Sequence, residues 1–575
     1  MRIRSRMACL VALCLFITSG LLGSSPAAAQ GIMAQGVMGE GTEGRDWIDG
    51  PAPDPIEPGN YDIEIREHVK IPMRDGVLLD AVLYIPDLPT AGACIAVADG
   101  YGWSFDDRDR RFAEERGYAV ANVSYRGIDE SEGEAGLYDH FGPDGYDMVE
   151  WMAAQPWCDG NVGMFGSSLP GIPLWLIAKE QPPSLKAIAP DVACADCYDY
   201  LWYPGGMLPG PGRESRARHE YVAAIQHRDY DDWWRAQTVA PEGLAQIAAS
   251  GLPVLVSGGW EDYITPGNIQ AFTEFTAAGG DARLLIAPGA HSSARTSVIG
   301  AFHHARHMDL FFDHFLRGEE NAWSDGTYRG DAVIWINGPD RYRYEQTWPI
   351  PDARAARLHL RAASSGSIES LNDGSLIAAP PAPDEASVSY DHFPQTGPFL
   401  PAMRESSGGL PELNVAPYEA ATLTWTTGAL EVPTEVTGKI VFDFWASATA
   451  EDTDFVLMVS DVAPDGTATY VTSGFLNAAR HPDRSNPRQL RAGEVRAYTL
   501  EAQPTAYVFQ EGHRIRFSLA GGAEGTPDQG TPQGPGKSPN FANVTIYQDA
   551  QHPSAITIPI VGTARLPTEG GTEYR

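Results

Sequence analysis

Hydrophobic positions along this chain follow two different periods, and the change comes past its middle. From Tyr61 the stretch YDIEIREHVKIPMRDGVLLDAVLYIP alternates apolar and polar residues on either side of RDG, which predicts a β-hairpin. Next, GACIAVADG is an unbroken apolar run, DDRDRRFAEERG is helical with a glycine stop, and YAVANVSYRG is a second apolar run. Strand, helix, strand in that order predicts a parallel pair joined by a crossover. DGYDMVEWMAAQP, GNVGMFG and PGIPLWLIAKEQ continue as helix, strand and helix; LPVLVSGG, PGNIQAFTEFTAAGG and ARLLIAPGA resume as strand, helix and strand. A doubly wound α/β sheet follows, closed by the amphipathic HHARHMDLFFDHFLRG. Between about residues 196 and 248 the rhythm breaks, and YLWYPGGMLPGPGRESRARHEY and RDYDDWWRA load aromatics and charges into short helical pieces, which reads as an inserted helical cap.

After about residue 325 the period becomes two, in DAVIWING, ARLHLRA, EVTGKIVFDFWAS, FVLMVSDV and HRIRFSLAG, with Gly, Pro and Asp turns between them. Many short strands of this kind predict an all-β sandwich or jelly roll. A chain of 575 residues exceeds the roughly 250–300 residues at which one core stops growing, so more than one domain is required. The division expected is a leader over 1–29, a flexible Gly-, Pro- and acid-rich linker over 30–60, an α/β domain over 61–325, a β domain over 326–565 and a tail over 566–575.

Charge narrows the partners. A formal net charge of −34 disfavours nucleic acid and anionic membrane surfaces, both of which are bound through Lys and Arg, and reads as a well-hydrated surface. The N-terminus has three arginines, an apolar stretch and Ala27-Ala28-Ala29 in the form signal peptidase cuts, which predicts a secreted or periplasmic protein. Removing that leader takes Cys9 and Cys14 and leaves Cys94, Cys158, Cys194 and Cys197, too few for a disulfide framework. The CADC at 194–197 is either a disulfide or two buried thiols. Nothing in the pattern specifies an oligomeric state.

The chemistry lies in GMFGSSLPG, residues 163–171, where an apolar strand turns into a helix. G-x-S in that setting is the context of a nucleophile elbow, which lifts a serine hydroxyl above the sheet edge. A helix starting near Pro170 puts Ser168 at the apex and leaves Ser167 as a local hydrogen-bonding spacer. Gly171 stands three residues past Ser168 rather than the usual two. A serine nucleophile needs a base, and the base an orienting carboxylate, in the chain order Ser, Asp, His for this topology. Asp262 in GGWEDY and His291 in APGAHSS each follow an apolar strand, with Glu261 a rival for the acid. HHARH at 303–307 has an i, i+4 histidine pair but lacks H-E-x-x-H, and reads as a solvated helix face rather than a zinc site.

IPMRDGVLL, YRGIDESEG, GYDMVEWMAAQPWCDGNVGMFGSS, GGWEDY, APGAHS, FFDHFLRG and VFQEGHRIRFSLAG resemble the serine hydrolase family of cocaine esterase, glutaryl acylase, α-amino acid ester hydrolase and X-prolyl dipeptidyl-peptidase, over about residues 61–560. The resemblance implies an α/β-hydrolase core with an inserted helical cap, followed by an all-β jelly-roll C-terminal domain. It implies Ser168 as nucleophile, Asp262 as acid, His291 as base, and an oxyanion hole from the Tyr101 hydroxyl and the Leu169 N–H. Two positions depart from the family: Leu169 stands where tyrosine is usual and Gly100 where proline is usual. The activity expected is hydrolysis of a small ester or amide substrate through an acyl-enzyme, with no metal or organic cofactor. Trp202, Trp233 and Trp234 are candidates for an aromatic acyl pocket. Release of X-Pro dipeptides and an amino acid ester hydrolase or acylase activity are alternatives, and a non-catalytic exported protein that binds ligands through its jelly roll is another.

Overall fold

The computed structural model describes residues 37–48, 58–102, 106–207, 218–289, 291, 298–392, 400–401, 414–524 and 541–567. The expected leader, most of the C-terminal tail and part of the cap lie outside the described residues. The hairpin forms as expected: β1 (Ile63–Pro72) pairs antiparallel with β2 (Leu78–Pro86). Then come β3 (Gly92–Asp99), α1 (Asp106–Arg116), β4 (Ala119–Ser124), α2 (Phe141–Ala153), β5 (Cys158–Ser167), α3 (Pro173–Glu180) and β6 (Leu185–Asp191). After the cap the alternation resumes with β7 (Val254–Gly259), α7 (Thr265–Ala277), β8 (Ala282–Ala287) and α8 (Val298–Arg317). Two more strands, β9 (Ala332–Ile336) and β10 (Arg341–Glu345), complete a sheet of order β1-β2-β4-β3-β5-β6-β7-β8-β9-β10.

The sheet is covered on both faces, which is why its central strands are apolar throughout. In β3, Ala93, Ile95 and Val97 face a layer holding Phe112 of α1 and Phe311, Phe312 and Leu316 of α8. Cys94, Ala96 and Ala98 face the opposite layer, built with α2, α3 and α7. Parallel pairing of β3, β5, β6, β7 and β8 gathers their carboxyl ends along one edge.

The chain departs from expectation in four places. β9 lies parallel to β8 and β10 antiparallel to β9, so the first sheet runs past residue 325 to Glu345. AVIWI is an apolar run buried at every residue, which is the mark of a sheet interior, whereas period two alone does not say which sheet a strand joins. Residues 37–48 of the expected linker are tied to both halves, through Glu40 N–H to Pro433 O at 2.9 Å and Ile48 N–H to Tyr342 O at 2.9 Å. The cap consists of a π-helical turn at Tyr198–Trp202 followed by α4 (Arg218–Gln226), α5 (Asp232–Ala236) and α6 (Pro241–Ser250), and α6 packs on α3 and α7 as part of the helical layer. Cysteines pair twice, Cys94 with Cys158 between neighbouring strands β3 and β5, and Cys194 with Cys197 at the entry to the cap.

Beyond Pro351, thirteen of the described strands form a separate β network around its own core of Leu358, Phe442, Phe444, Phe517 and Ile558 among others, while the short strands Leu400–Pro401 and Ala523–Glu524 pair with each other. Arg343 of β10 reaches into it, donating to both oxygens of Glu435 at 2.8 and 2.7 Å, with neither side chain exposed. A bidentate pair enclosed in this way fixes the register of the two halves.

Candidate active site

Ser168 sits at the carboxyl end of β5 with φ of +64°, in the left-handed region that side-chain-bearing residues avoid. Two glycines make the bend possible. A Cβ at Gly166 would fall 2.0 Å from Pro170 O, and one at Gly171 would fall 2.6 Å from Gly166 O. Gly171 therefore does at three residues past the serine what the usual motif does at two, by letting the outgoing backbone cross the incoming strand. The regular helix begins at Pro173 rather than Pro170, while Gly171 N–H and Ile172 N–H already donate to Ser168 O at 2.8 and 3.1 Å. Ser167 points away and donates to Asp191 Oδ2 at 2.5 Å.

Asp262 follows β7 and is 1% exposed. Its Oδ1 accepts the Ile264 and Thr265 N–H groups at 2.6 and 2.9 Å, at the start of α7, where the helix dipole favours an anion. Its Oδ2 is hydrogen-bonded to His291 Nδ1. His291 Nε2 stands 2.8 Å from Ser168 Oγ. The structure thus brings Ser168, His291 and Asp262 into one continuous chain, with Asp262 rather than Glu261 on the imidazole. Tyr101 Oη lies 3.3 Å from Ser168 Oγ, and Tyr101 N–H is pinned by Asp99 Oδ1 at 2.7 Å. The two departures from the family pattern are coupled, because a Cβ at Gly100 would come 2.6 Å from Leu169 Cδ2. Small Gly100 makes room for Leu169, and Tyr125 holds the same residue by donating to its carbonyl at 3.2 Å.

Among the described residues, the cap tryptophans pack on their neighbours and line neither of the two cavities described below. Trp234 is fully buried, with its Nε1 donating to His227 O at 2.5 Å and its ring edge-on to Tyr198 and Tyr203. Trp202 is 4% exposed and donates to Tyr138 Oη at 3.1 Å, and Trp233 stacks on His227. A short insertion must bury its own aromatics, and these rings form the cap's core. The larger cavity, of about 260 Å3, lies between the cap, the start of α7 and the β network, lined by Tyr200, Tyr263, Phe475, Leu476 and Arg484. Tyr263 connects it to the site, its ring lying 5.3 Å from that of His291. On the same wall, burial and the charge of Asp196 push the Asp199 carboxyl up to about 7. A smaller cavity of about 50 Å3 lies beside Gly100, Tyr125 and Phe141.

Sequence reasoning missed Tyr263, Asp191 and the Cys94–Cys158 bond. The sheet order that makes β3 and β5 neighbours was the available signal for the last of these. Among the described residues, His68, Asp80 and Glu130 have metal-ligand spacing, but Lys70 Nζ, 2.9 Å from Asp80 Oδ1, already supplies the positive charge there. The side chains of His303 and His304 lie outside the described residues, and His307 Nδ1 is bonded to the Tyr328 hydroxyl.

Comparison with known proteins gives the same picture. Residues 75–218 and 212–293 match the model of the X-Pro dipeptidyl-peptidase (S15 family), and residues 325–557 match that of the X-Pro dipeptidyl-peptidase C-terminal non-catalytic domain. Cocaine esterase of Rhodococcus is 28% identical over 582 residues, covering 88% of this chain and 99% of that protein. A CocE/NonD family hydrolase from Staphylococcus aureus superposes with a TM-score of 0.71 at 19% identity, over 87% of this chain and 94% of that one. An α-amino acid ester hydrolase gives 0.69 at 18% identity, over 89% and 98%. Both structures share the fold. With family models matching each half and a relative aligned over nearly its whole length, the chain belongs to the serine hydrolase family of cocaine esterase and the X-Pro dipeptidyl-peptidases.

Proposed function

We propose that this protein is an exported carboxylesterase in which Ser168 attacks the acyl carbonyl, His291 takes and returns the proton, and Asp262 holds the imidazole. The observation that carries this reading is the unbroken hydrogen-bond chain from Asp262 through His291 to Ser168 beneath the Tyr101 hydroxyl. His291 Nε2 accepts the hydroxyl proton as Ser168 Oγ bonds to carbon, and Asp262 stabilises the imidazolium that forms. The oxyanion is met by Tyr101 Oη and the Leu169 N–H. Collapse expels the alcohol, which takes the proton from His291 and leaves an acyl-serine. Water, deprotonated by the same imidazole, then releases the acid and restores Ser168.

Export is supported by the N-terminal pattern and by two disulfides, which persist in oxidising compartments. N-terminal sequencing of the exported protein is expected to read from Gln30. Dipeptide release from X-Pro substrates is the second reading, favoured by the match to the S15 model.

A fluorophosphonate probe tests the nucleophile. Ser168→Ala is expected to abolish labelling and to lower kcat on aryl esters by about 10^6-fold, whereas Ser167→Ala still labels. Turnover of aryl esters against X-Pro anilides then separates the two activities. Labelling that survives Ser168→Ala would remove the basis of the proposal.

A further inference from the structure

One carboxylate at the catalytic edge takes no part in the proton path. Asp191 ends β6, flanked by β5 and β7, and the register sets Ser167, Asp191 and Ser257 side by side. Asp191 Oδ2 accepts the Ser167 hydroxyl at 2.5 Å, Oδ1 accepts the Ser257 hydroxyl at 2.9 Å, and its carbonyl accepts the Ser168 N–H at 2.9 Å. Asn268, on α7, donates through Nδ2 to Pro190 O and Ser257 O, both at 3.0 Å, closing the link between β6 and β7.

We infer that Asp191 is a positioning residue that fixes the nucleophile's backbone through Ser167 and Ser257, an inference that rests on Ser168 being the nucleophile. Ser168 is held at φ +64°, a conformation that persists only where the surroundings over-determine it. Its peptide unit is the one that joins it to Ser167, so Asp191 grips both ends of that unit, the Ser167 side chain and the Ser168 N–H. Hydroxyls donating to an ionised carboxylate make the stronger class of hydrogen bond, and here they come from strands on both sides. Loosening that unit rotates Ser168 Oγ away from His291 Nε2 without touching the substrate's contacts.

Asp191→Asn keeps the shape but turns one acceptor into an N–H donor, so one of the two hydroxyls loses its partner. Both kcat on an aryl ester and the rate of fluorophosphonate labelling are expected to fall roughly 10- to 100-fold, with KM within twofold, the scale of a displacement near 1 Å. Ser167→Ala is expected to cost about 5- to 20-fold in the same two rates. Adding it to Asp191→Asn should cost less than a further twofold, because both cut one link. Thermal unfolding is followed in parallel, so that a loss of rate matching a loss of folded protein counts against the inference. A double variant whose losses multiply, or a KM that rises while kcat holds, would overturn it. Should Asp191→Asn fail to fold, Ser167→Ala and Ser257→Ala each remove one donor, and wild-type kcat in both would also overturn it. Mapping the labelled peptide in the wild type keeps the two readings apart: a label on a residue other than Ser168 defeats the nucleophile assignment itself.

Discussion

Each half of this molecule buries serines against a carboxylate, and only one of the two clusters is built to react. In the α/β half, Ser168 faces an imidazole that in turn faces Asp262. In the β half, Ser460 and Ser518 donate directly to Glu419 Oε1 at 2.5 and 3.2 Å, while Arg516 Nη1 donates to Oε2 at 2.6 Å. Arg516 is 1% exposed and Glu419 not at all. In the second cluster the carboxylate is paired with a guanidinium and accepts both hydroxyls directly rather than through an imidazole. Its serines also lie within strands, Ser460 within Asp454–Val462 and Ser518 within Arg514–Ala520, whereas Ser168 is lifted out of its strand. On the proposed reading, reactivity comes from an imidazole placed between acid and hydroxyl and from a strained turn, whereas proximity of serine to acid gives only structure.

Among the carboxylates, breaking the Ser168 cluster at its acid has the largest expected effect. Asp262→Asn keeps an oxygen for the Ile264 and Thr265 N–H groups but turns an N–H toward His291 Nδ1, which imposes the wrong tautomer. A loss of about 10^4-fold in kcat with little change in stability is expected, read by steady-state kinetics and thermal unfolding. Glu261→Gln should stay within about threefold of wild type, since Asp262 is the carboxylate bonded to His291 Nδ1. Breaking the inert cluster at its acid should do the reverse. Glu419→Gln leaves Arg516 as a buried charge without its counter-ion, so denaturant unfolding is expected to show a loss of about 3–5 kcal/mol while kcat per folded molecule is unchanged. A fall in kcat without loss of stability would mean that the β half takes part in the chemistry.

The comparison also marks what could be read from the chain alone. Continuous apolar strands separated by helical runs carry the two-faced sheet, and the order Ser168, Asp262, His291 at three strand ends carries the proposed triad, because that topology brings those ends together. That the first sheet continues past 325 could not be read, because AVIWI fits either sheet equally well and only pairing with β8 decides. The packing of Trp233 and Trp234 on neighbouring rings was not legible, because an aromatic-rich insertion looks the same whether its rings face a ligand or one another. Residues 37–48 looked like linker by composition, yet the backbone bonds that hold them come from partners hundreds of residues away, as with Glu40 and Pro433. Asp191 and the Cys94–Cys158 bond depend on lateral register, which no local pattern encodes.

A loss smaller than that at Asp262 is expected on the side of the site where this chain departs from its family. Tyr101 is 51% exposed, and its hydroxyl lies 3.3 Å from Ser168 Oγ, a separation that tightens once the oxyanion replaces the resting hydroxyl as its partner. Its backbone is held on one side by Asp99 Oδ1 on its own N–H and followed on the other by Gly102, whose φ of +77° disfavours a side chain and where a Cβ would fall 2.7 Å from Asp129 Oδ1. A tyrosine held this firmly by its main chain can reach the oxyanion without the proline usual before it, and Gly100 instead admits Leu169. Tyr101→Phe removes one of two donors and nothing from the proton path. It should therefore cost about 3 kcal/mol of transition-state stabilisation, roughly 100-fold in kcat, with KM unchanged and well short of the loss from Asp262→Asn. Steady-state kinetics on one aryl ester decides it: a loss below about threefold would assign the second oxyanion donor to another group and leave Tyr101 as part of the entrance wall.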